Sequence, residues 1–175
     1  GGPIIHEEAP ENIALDWDIG DESIADTAMS KATKRLNFEI GDNRIIVNSM
    51  EPRGCFAEWG DGRVHLAFNG QGVWGAKGHL AEMMHLDPEN VRVTNPDVGG
   101  GFGMKSMTYP EYVLCAVAAR MLGKPVRWMS ERSEAMLSDH GGRDLTCSVE
   151  MGFDDSNKLV GYKVHSRFNL GAYNS

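Results

Sequence analysis

What this sequence has least of is cysteine and concentrated positive charge. Cys55, Cys115 and Cys147 are three thiols spread over 175 residues. No two are spaced as C-x-x-C, which argues against an iron–sulfur cluster or a structural zinc built from this stretch. With no signal peptide, they read as buried thiols of a reducing cytoplasm. Histidine offers no substitute, because His79-Leu80-Ala81-Glu82-Met83-Met84-His85 lacks H-E-x-x-H, so no protein-ligated metal is expected. The formal net charge is −8 and no charge cluster is basic. Phosphate backbones and anionic membrane surfaces need grouped Lys and Arg, so nucleic acid is not an expected partner. No apolar run approaches the roughly 18 residues that span a bilayer, so membrane insertion is not expected. An initiator Met, internal repeats and low-complexity tracts are also lacking. Gly1-Gly2-Pro3 and Gly171-Ala172-Tyr173-Asn174-Ser175 both read as cut from a longer polypeptide.

Glycine, in contrast, is plentiful, and four fall within Val98-Gly99-Gly100-Gly101-Phe102-Gly103-Met104-Lys105-Ser106. Such a backbone can take positive φ and let a ligand approach its N–H groups. Gly99 to Ser106 matches a P-loop except that Met104 replaces the last glycine, and the G-x-G-x-x-G dinucleotide fingerprint fails in every frame. Upstream, Val91-Arg92-Val93 reads as a strand entering the loop. Downstream, Thr108-Tyr109-Pro110-Glu111 reads as a capping box for a helix over Tyr109 to Leu122, closed by Gly123 and stopped by Pro125. Val113, Leu114, Val117, Ala118 and Met121 form its expected buried face.

The remaining pattern indicates α+β: mixed and antiparallel strands, many in hairpins, packed with two or three main helices. Residues 1–20 form an acidic, aperiodic, extended lead-in that Trp17 is expected to pin down. Asp21 is placed to cap a helix ending near Lys34-Arg35. Leu36 to Ile40 and Arg44 to Asn48 read as paired strands around Gly41-Asp42-Asn43. In Met50-Glu51-Pro52-Arg53-Gly54-Cys55 the charges flanking proline read as solvated turn residues. Phe56–Trp59 and Arg63–Phe68 form a hairpin with Val64, Leu66 and Phe68 inward, and Asn69-Gly70-Gln71-Gly72 presents a side chain at its end. Val73 to Met84 has helical period with its methionines in the core. Asp139-His140-Gly141-Gly142-Arg143 is a second glycine-flanked loop. Alternation over Leu145–Phe153 and Leu159–Tyr173 describes a long hairpin with one buried face.

Three blocks, in this order and spacing, resemble one family: Met50-Glu51-Pro52-Arg53-Gly54, then Gly99 to Lys105 with Pro110-Glu111 behind, then Gly141-Gly142-Arg143. It is the molybdenum hydroxylases, and the likeness is to the molybdopterin-binding large subunit of the aldehyde oxidase, xanthine dehydrogenase and carbon monoxide dehydrogenase group. The likeness covers nearly the whole chain. Because family large subunits are several times longer, it implies a partial domain of a larger subunit, with residues 21–175 part of the cofactor-binding domain. The resemblance further implies a molybdenum-pterin cofactor, in a dinucleotide form, whose dithiolene holds the metal while the protein supplies hydrogen bonds. Iron–sulfur and FAD centres would belong to partner domains or subunits.

By position, Gln71 matches the family glutamine that hydrogen-bonds an oxygen ligand of the metal. Phe102, with Gly100, Gly101 and Gly103, matches the loop whose N–H groups approach the cofactor. Arg143 matches an arginine that orients substrate and stabilises developing negative charge. Ser106 stands where purine-oxidising members carry glutamate, so the resemblance implies an aldehyde, an N-heterocycle or carbon monoxide as the small-molecule substrate. The family's general-base glutamate lies downstream of this stretch, so the fragment alone is expected to be inactive. The implied partners are the remainder of the large subunit and iron–sulfur and flavin subunits. Two other readings of the residues stand beside this one: a phosphate- or nucleotide-binding module using Lys105-Ser106 of the 99–106 loop, and a non-catalytic assembly domain.

Overall fold

A computed structural model describes residues 2–171. In chain order the elements are α1 (Glu22–Ser30), β1 (Lys34–Asp42), the two-residue β2 (Ile45–Ile46), β3 (Gly54–Gly60), β4 (Arg63–Phe68), α2 (Trp74–Met84), β5 (Val91–Thr94), α3 (Pro110–Leu122), β6 (Val126–Met129), α4 (Arg132–Ser138), the two-residue β7 (Gly141–Gly142), β8 (Leu145–Phe153) and β9 (Leu159–Phe168). The chain divides into two compact units, one from Ile46 to Gly142 and one from the segments on either side of it. Mixed and antiparallel strand pairing, with helices packed beside the sheets, is the expected α+β class. Among the described residues no helix is long and apolar enough to cross a membrane.

The unit built from the flanking segments is a three-stranded antiparallel sheet in the order β1-β8-β9, with α1 packed on one face. The alternation over 145–153 does produce a hairpin, turning through Asp154, whose carboxylate accepts the N–H groups of Ser156 and Lys158. The strand ends at Phe168 rather than Tyr173, and Tyr173 lies outside the described residues. The pairing expected of β1 is corrected. Its partner is β8, from Lys34 opposite Phe153 to Asp42 opposite Leu145, and not the segment 44–48. Local turn chemistry at Gly41-Asp42-Asn43 suggested a hairpin, but the long-range ladder with β8 makes nine residue pairs.

Asp21 caps α1 as expected, accepting from Ile24 N–H at 3.0 Å. The helix stops four residues before Lys34, which opens β1. The helix C-terminus still receives positive charge, because Arg35 donates from the strand to the Met29 carbonyl at 2.8 Å. Trp17 pins nothing, being 69% exposed. What docks α1 is Met29, whose sulfur occupies a slot between the cross-strand pair Gly152 and Gly161. A Cβ at Gly152 would lie 2.8 Å from both the Met29 sulfur and the Ala32 Cβ. Gly152→Ala is therefore expected to destabilise by about 1–3 kcal/mol through overpacking, read as a lowered midpoint of heat denaturation.

The second unit holds the main hydrophobic core. Its sheet runs β5-β4-β3-β6, with β3 antiparallel to β4 and β6, and β5 parallel to β4 after the α2 crossover. The β3–β4 hairpin turns through Asp61 and Gly62, both at positive φ, as a two-residue turn that matches strand twist demands. Ala57, Val64, Leu66 and Phe68 point inward against Leu80 of α2 and Tyr112, Ala116 and Ala119 of α3. In α2, Met84 is buried but Met83 is 61% exposed, so only one of its paired methionines belongs to the core.

Helix α3 has the expected limits, with Gly123 left-handed at its C-terminus, but two expectations for it are corrected. The buried face is Tyr112, Cys115, Ala116 and Ala119, while Leu114 and Met121 are largely exposed. The capping box does not form. Thr108 Oγ1 bonds His79 Nδ1 at 3.0 Å, and Glu111 is drawn to Arg53.

Candidate functional site

The sheet delivers two strand ends to the same place. β4 ends at Phe68 and releases Asn69-Gly70-Gln71, while parallel β5 ends at Thr94 and releases the glycine loop. Every residue of the first segment is tied down. The Asn69 carboxamide accepts from Gly54 N–H (2.8 Å) and donates to the Pro52 carbonyl (2.7 Å). Asn95 Nδ2 donates to the Gly70 carbonyl at 2.5 Å, and Gln71 N–H donates to the Lys105 carbonyl at 3.0 Å.

The Gln71 side chain then lies across the loop. Its Oε1 accepts from Gly103 N–H (2.8 Å) and Lys105 N–H (3.2 Å). Two N–H donors facing one carboxamide atom identify that atom as the oxygen, so Nε2 is directed away from both. Among the described residues Nε2 has no protein acceptor. Gly101 leaves room for the carboxamide, since a Cβ there would stand 2.6 Å from Gln71 Oε1 and 2.7 Å from Cδ and would push the side chain aside. Gly100 (φ +101°), Phe102 (φ +53°) and Gly103 (φ +94°) all adopt left-handed backbone. The amides of Gly100, Gly101 and Phe102 donate to no protein acceptor among the described residues, and the Phe102 ring is 78% exposed. Positive φ at a bulky residue is costly and concentrates at ligand-binding loops.

The loop is anchored from below by charge. Lys105 has a completely buried side chain, and its Nζ donates to Glu51 Oε2 at 3.0 Å. The same oxygen accepts from Gly99 N–H at 2.8 Å. Burial pushes the Glu51 carboxyl pKa up, but the Gly99 N–H and the Lys105 ammonium outweigh it and hold the group below the ordinary glutamate value. A carboxylate with a depressed folded-state pKa stabilises at pH values above the unfolded one, and that stabilisation is lost as pH falls through the folded value. Lys105 thus points inward, and the phosphate-binding reading loses the lysine it depends on.

The Glu-Pro-Arg-Gly block is also corrected from solvated turn to core. Arg53 is fully buried, with Nε 2.5 Å from Asp139, Nη1 3.0 Å from Glu111 and Nη2 3.0 Å from Ser138 Oγ. Its guanidinium lies 3.7 Å over the Tyr109 ring. The Tyr109 hydroxyl in turn donates to the Met104 carbonyl (2.9 Å) and accepts from His140 N–H (3.1 Å), joining both glycine-containing loops.

Within the Ile46–Gly142 unit the fold therefore brings Gln71 together with Gly100, Gly101, Phe102 and Gly103. Arg143 belongs to the other unit, where it has φ +69°, is exposed, and has Nε 3.9 Å from Asp42 Oδ2. Sequence reasoning missed Glu51, Asn95 and Tyr109 as supports of the site. The one available signal for them was an acid and a buried-type arginine flanking a proline that rules out regular structure.

Convergent amide donors, a carboxamide with a directed N–H and glycines at positive φ are set at the C-terminal ends of two parallel strands, an arrangement suited to holding a ligand through hydrogen bonds. The chain matches the molybdopterin cofactor-binding domain family over residues 5–175 and belongs to that family. It is 29% identical over 177 residues to the nicotine 6-hydroxylase large subunit of Paenarthrobacter nicotinovorans, covering 99% of this chain and 21% of that one. The carbon monoxide dehydrogenase large chain of Hydrogenophaga pseudoflava is 27% identical over 168 residues, covering 94% and 21%. Among solved structures, quinoline 2-oxidoreductase from Pseudomonas putida 86 superposes with a TM-score of 0.78 at 26% identity, over 84% of this chain and 19% of that one. The chain spans about a fifth of the length of the curated relatives it matches.

The site's own chemistry fits such a cofactor. It offers neutral N–H donors, from the Gln71 carboxamide and the loop amides, to oxygen and nitrogen acceptors.

Proposed function

We propose that this chain is the cofactor-loop segment of a molybdenum-dependent hydroxylase large subunit, working in the cytoplasm on an aldehyde, an N-heterocycle or carbon monoxide. The observation that carries the reading is the Gln71 carboxamide, with its oxygen consumed by Gly103 and Lys105 N–H and its Nε2 left to donate. A single directed donor beside three free loop amides suits an oxygen-bearing metal centre and a pterin edge. The family assignment and the relatives' names support the same class.

In this reading the molybdenum-pterin group, in a dinucleotide form, supplies the redox chemistry when bound. Gln71 Nε2 would donate a hydrogen bond to an oxygen acceptor of that group. The amides of Gly100, Gly101 and Phe102 would hold the cofactor's acceptors. Arg143 supplies a guanidinium for charge that develops on the substrate. Iron–sulfur and flavin centres on partner subunits would accept the electrons. Residues 1–20 act as a lead-in to the cofactor-binding region from 21 onward.

The test is metal and pterin analysis of the full-length protein purified without oxygen. Near-stoichiometric molybdenum with a releasable pterin dinucleotide is expected. A protein without either, from cells that make the cofactor, overturns the reading.

A further inference from the structure

We propose that Glu51 is a positioning residue for the cofactor loop, acting through Gly99 and Lys105 on the Gln71 carboxamide. The loop's ligand is named by the function proposed above. The positioning itself rests on geometry alone.

One carboxylate oxygen, Glu51 Oε2, receives Gly99 N–H and Lys105 Nζ, residues at the two ends of the loop. At the first end the contact is reciprocal, since Glu51 N–H donates to the Gly99 carbonyl at 3.1 Å. The approach there is too close for any side chain, because a Cβ at Gly99 would lie 2.6 Å from the Glu51 Cβ. At the second end, the Lys105 ammonium is shut off from water and has Glu51 as its ion-pair partner. A buried ammonium without its carboxylate is uncompensated and has to move.

The Lys105 main chain is what frames Gln71. Its N–H donates to Gln71 Oε1, and its carbonyl accepts from Gln71 N–H. Displacing Lys105 therefore displaces both the carboxamide and the backbone that carries it. Glu51 is itself held from behind. Ser49 Oγ donates to the Glu51 carbonyl at 2.7 Å, and Arg132 donates to the Ser49 and Met50 carbonyls at 2.8 Å each. The connection runs without a gap from α4 through residues 49–51 to Gln71.

The test uses the full-length protein carrying Glu51→Ala or Glu51→Gln, followed by hydrogen exchange of the 99–106 peptide and by steady-state kinetics. Glu51→Ala is expected to speed exchange of the bonded amides in 99–106, those of Gly99 and of residues 103–106, by about tenfold or more while peptides from 54–68 keep their rates, the pattern of a local opening. Glu51→Gln keeps an acceptor oxygen but not the charge, so a smaller acceleration is expected. In both, kcat falls while KM changes little, because a displaced Gln71 donor weakens transition-state rather than substrate binding. Unchanged exchange in 99–106, or equal acceleration in 54–68, overturns the proposal. Should Glu51→Ala fail to fold, Glu51→Gln decides by the same criteria. The exchange pattern is read whether or not the protein holds molybdenum, so a failure of the cofactor reading is separable from a failure of this one.

Discussion

Gln71→Glu is expected to lower turnover of the full-length enzyme by about 100–1,000-fold while leaving its melting behaviour and loop structure nearly intact, the size of effect seen when one preorganised donor to developing charge is removed. The substitution is nearly isosteric. One carboxylate oxygen takes over the two bonds from Gly103 and Lys105 N–H, which hold the side chain in place. The other oxygen stands where Nε2 stood, so a donor becomes a negatively charged acceptor aimed at the same point. Gln71→Ala removes both functions and also frees two loop amides, so it confounds position with chemistry. Gly101→Ala supplies the complementary control. It leaves the carboxamide chemically unchanged but pushes it, since the new Cβ lies 2.6 Å from Oε1, and it is expected to fall between wild type and Gln71→Glu. Cofactor content and turnover measured on the same samples check the argument. Turnover of Gln71→Glu within about threefold of wild type, with cofactor present, would remove the donor role.

The parts of this site that were readable in the sequence are those whose signal is local. Glycines at 99–103 and a polar break after an alternating strand announce a loop and a strand end, and both appear where the pattern placed them. The helix behind the loop was legible for the same reason, through its proline start and glycine stop. What could not be read is whatever depends on partners far away in the chain. Arg53 looks like a surface residue until Glu111 and Asp139, 58 and 86 residues later, close around it. The same long-range pairing took Glu111 from its local capping role and gave β1 a partner over a hundred residues distant. The buried face of α3 was misjudged because apolar residues surround that helix, and periodicity does not choose among several apolar stripes. Tyr112 decides the matter through its edge-on contact with Phe68, at 5.2 Å between ring centres.

The largest stability effect is expected at Arg53. Burial pulls its pKa down, but hydrogen bonds and charge contact with Glu111 and Asp139 more than offset this and hold it above the ordinary arginine value, so it stays charged at every accessible pH. Arg53→Met leaves the Asp139 carboxylate, with 1% of its side chain exposed, without a cation. Breaking one partner of a buried pair costs about 3–5 kcal/mol, which for a domain of this size lowers the melting midpoint by about 6–20 °C. Arg53→Lys is expected to recover little of this. An ammonium cannot reproduce three bonds in three directions together with stacking on Tyr109. The second substitution, Asp139→Asn in the Arg53→Met background, distinguishes the cause. If the cost is the stranded carboxylate, the double variant is expected to be more stable than Arg53→Met alone, with a coupling of about 1–3 kcal/mol. If the two losses simply add, the guanidinium acts mainly through packing on Tyr109 and Trp128.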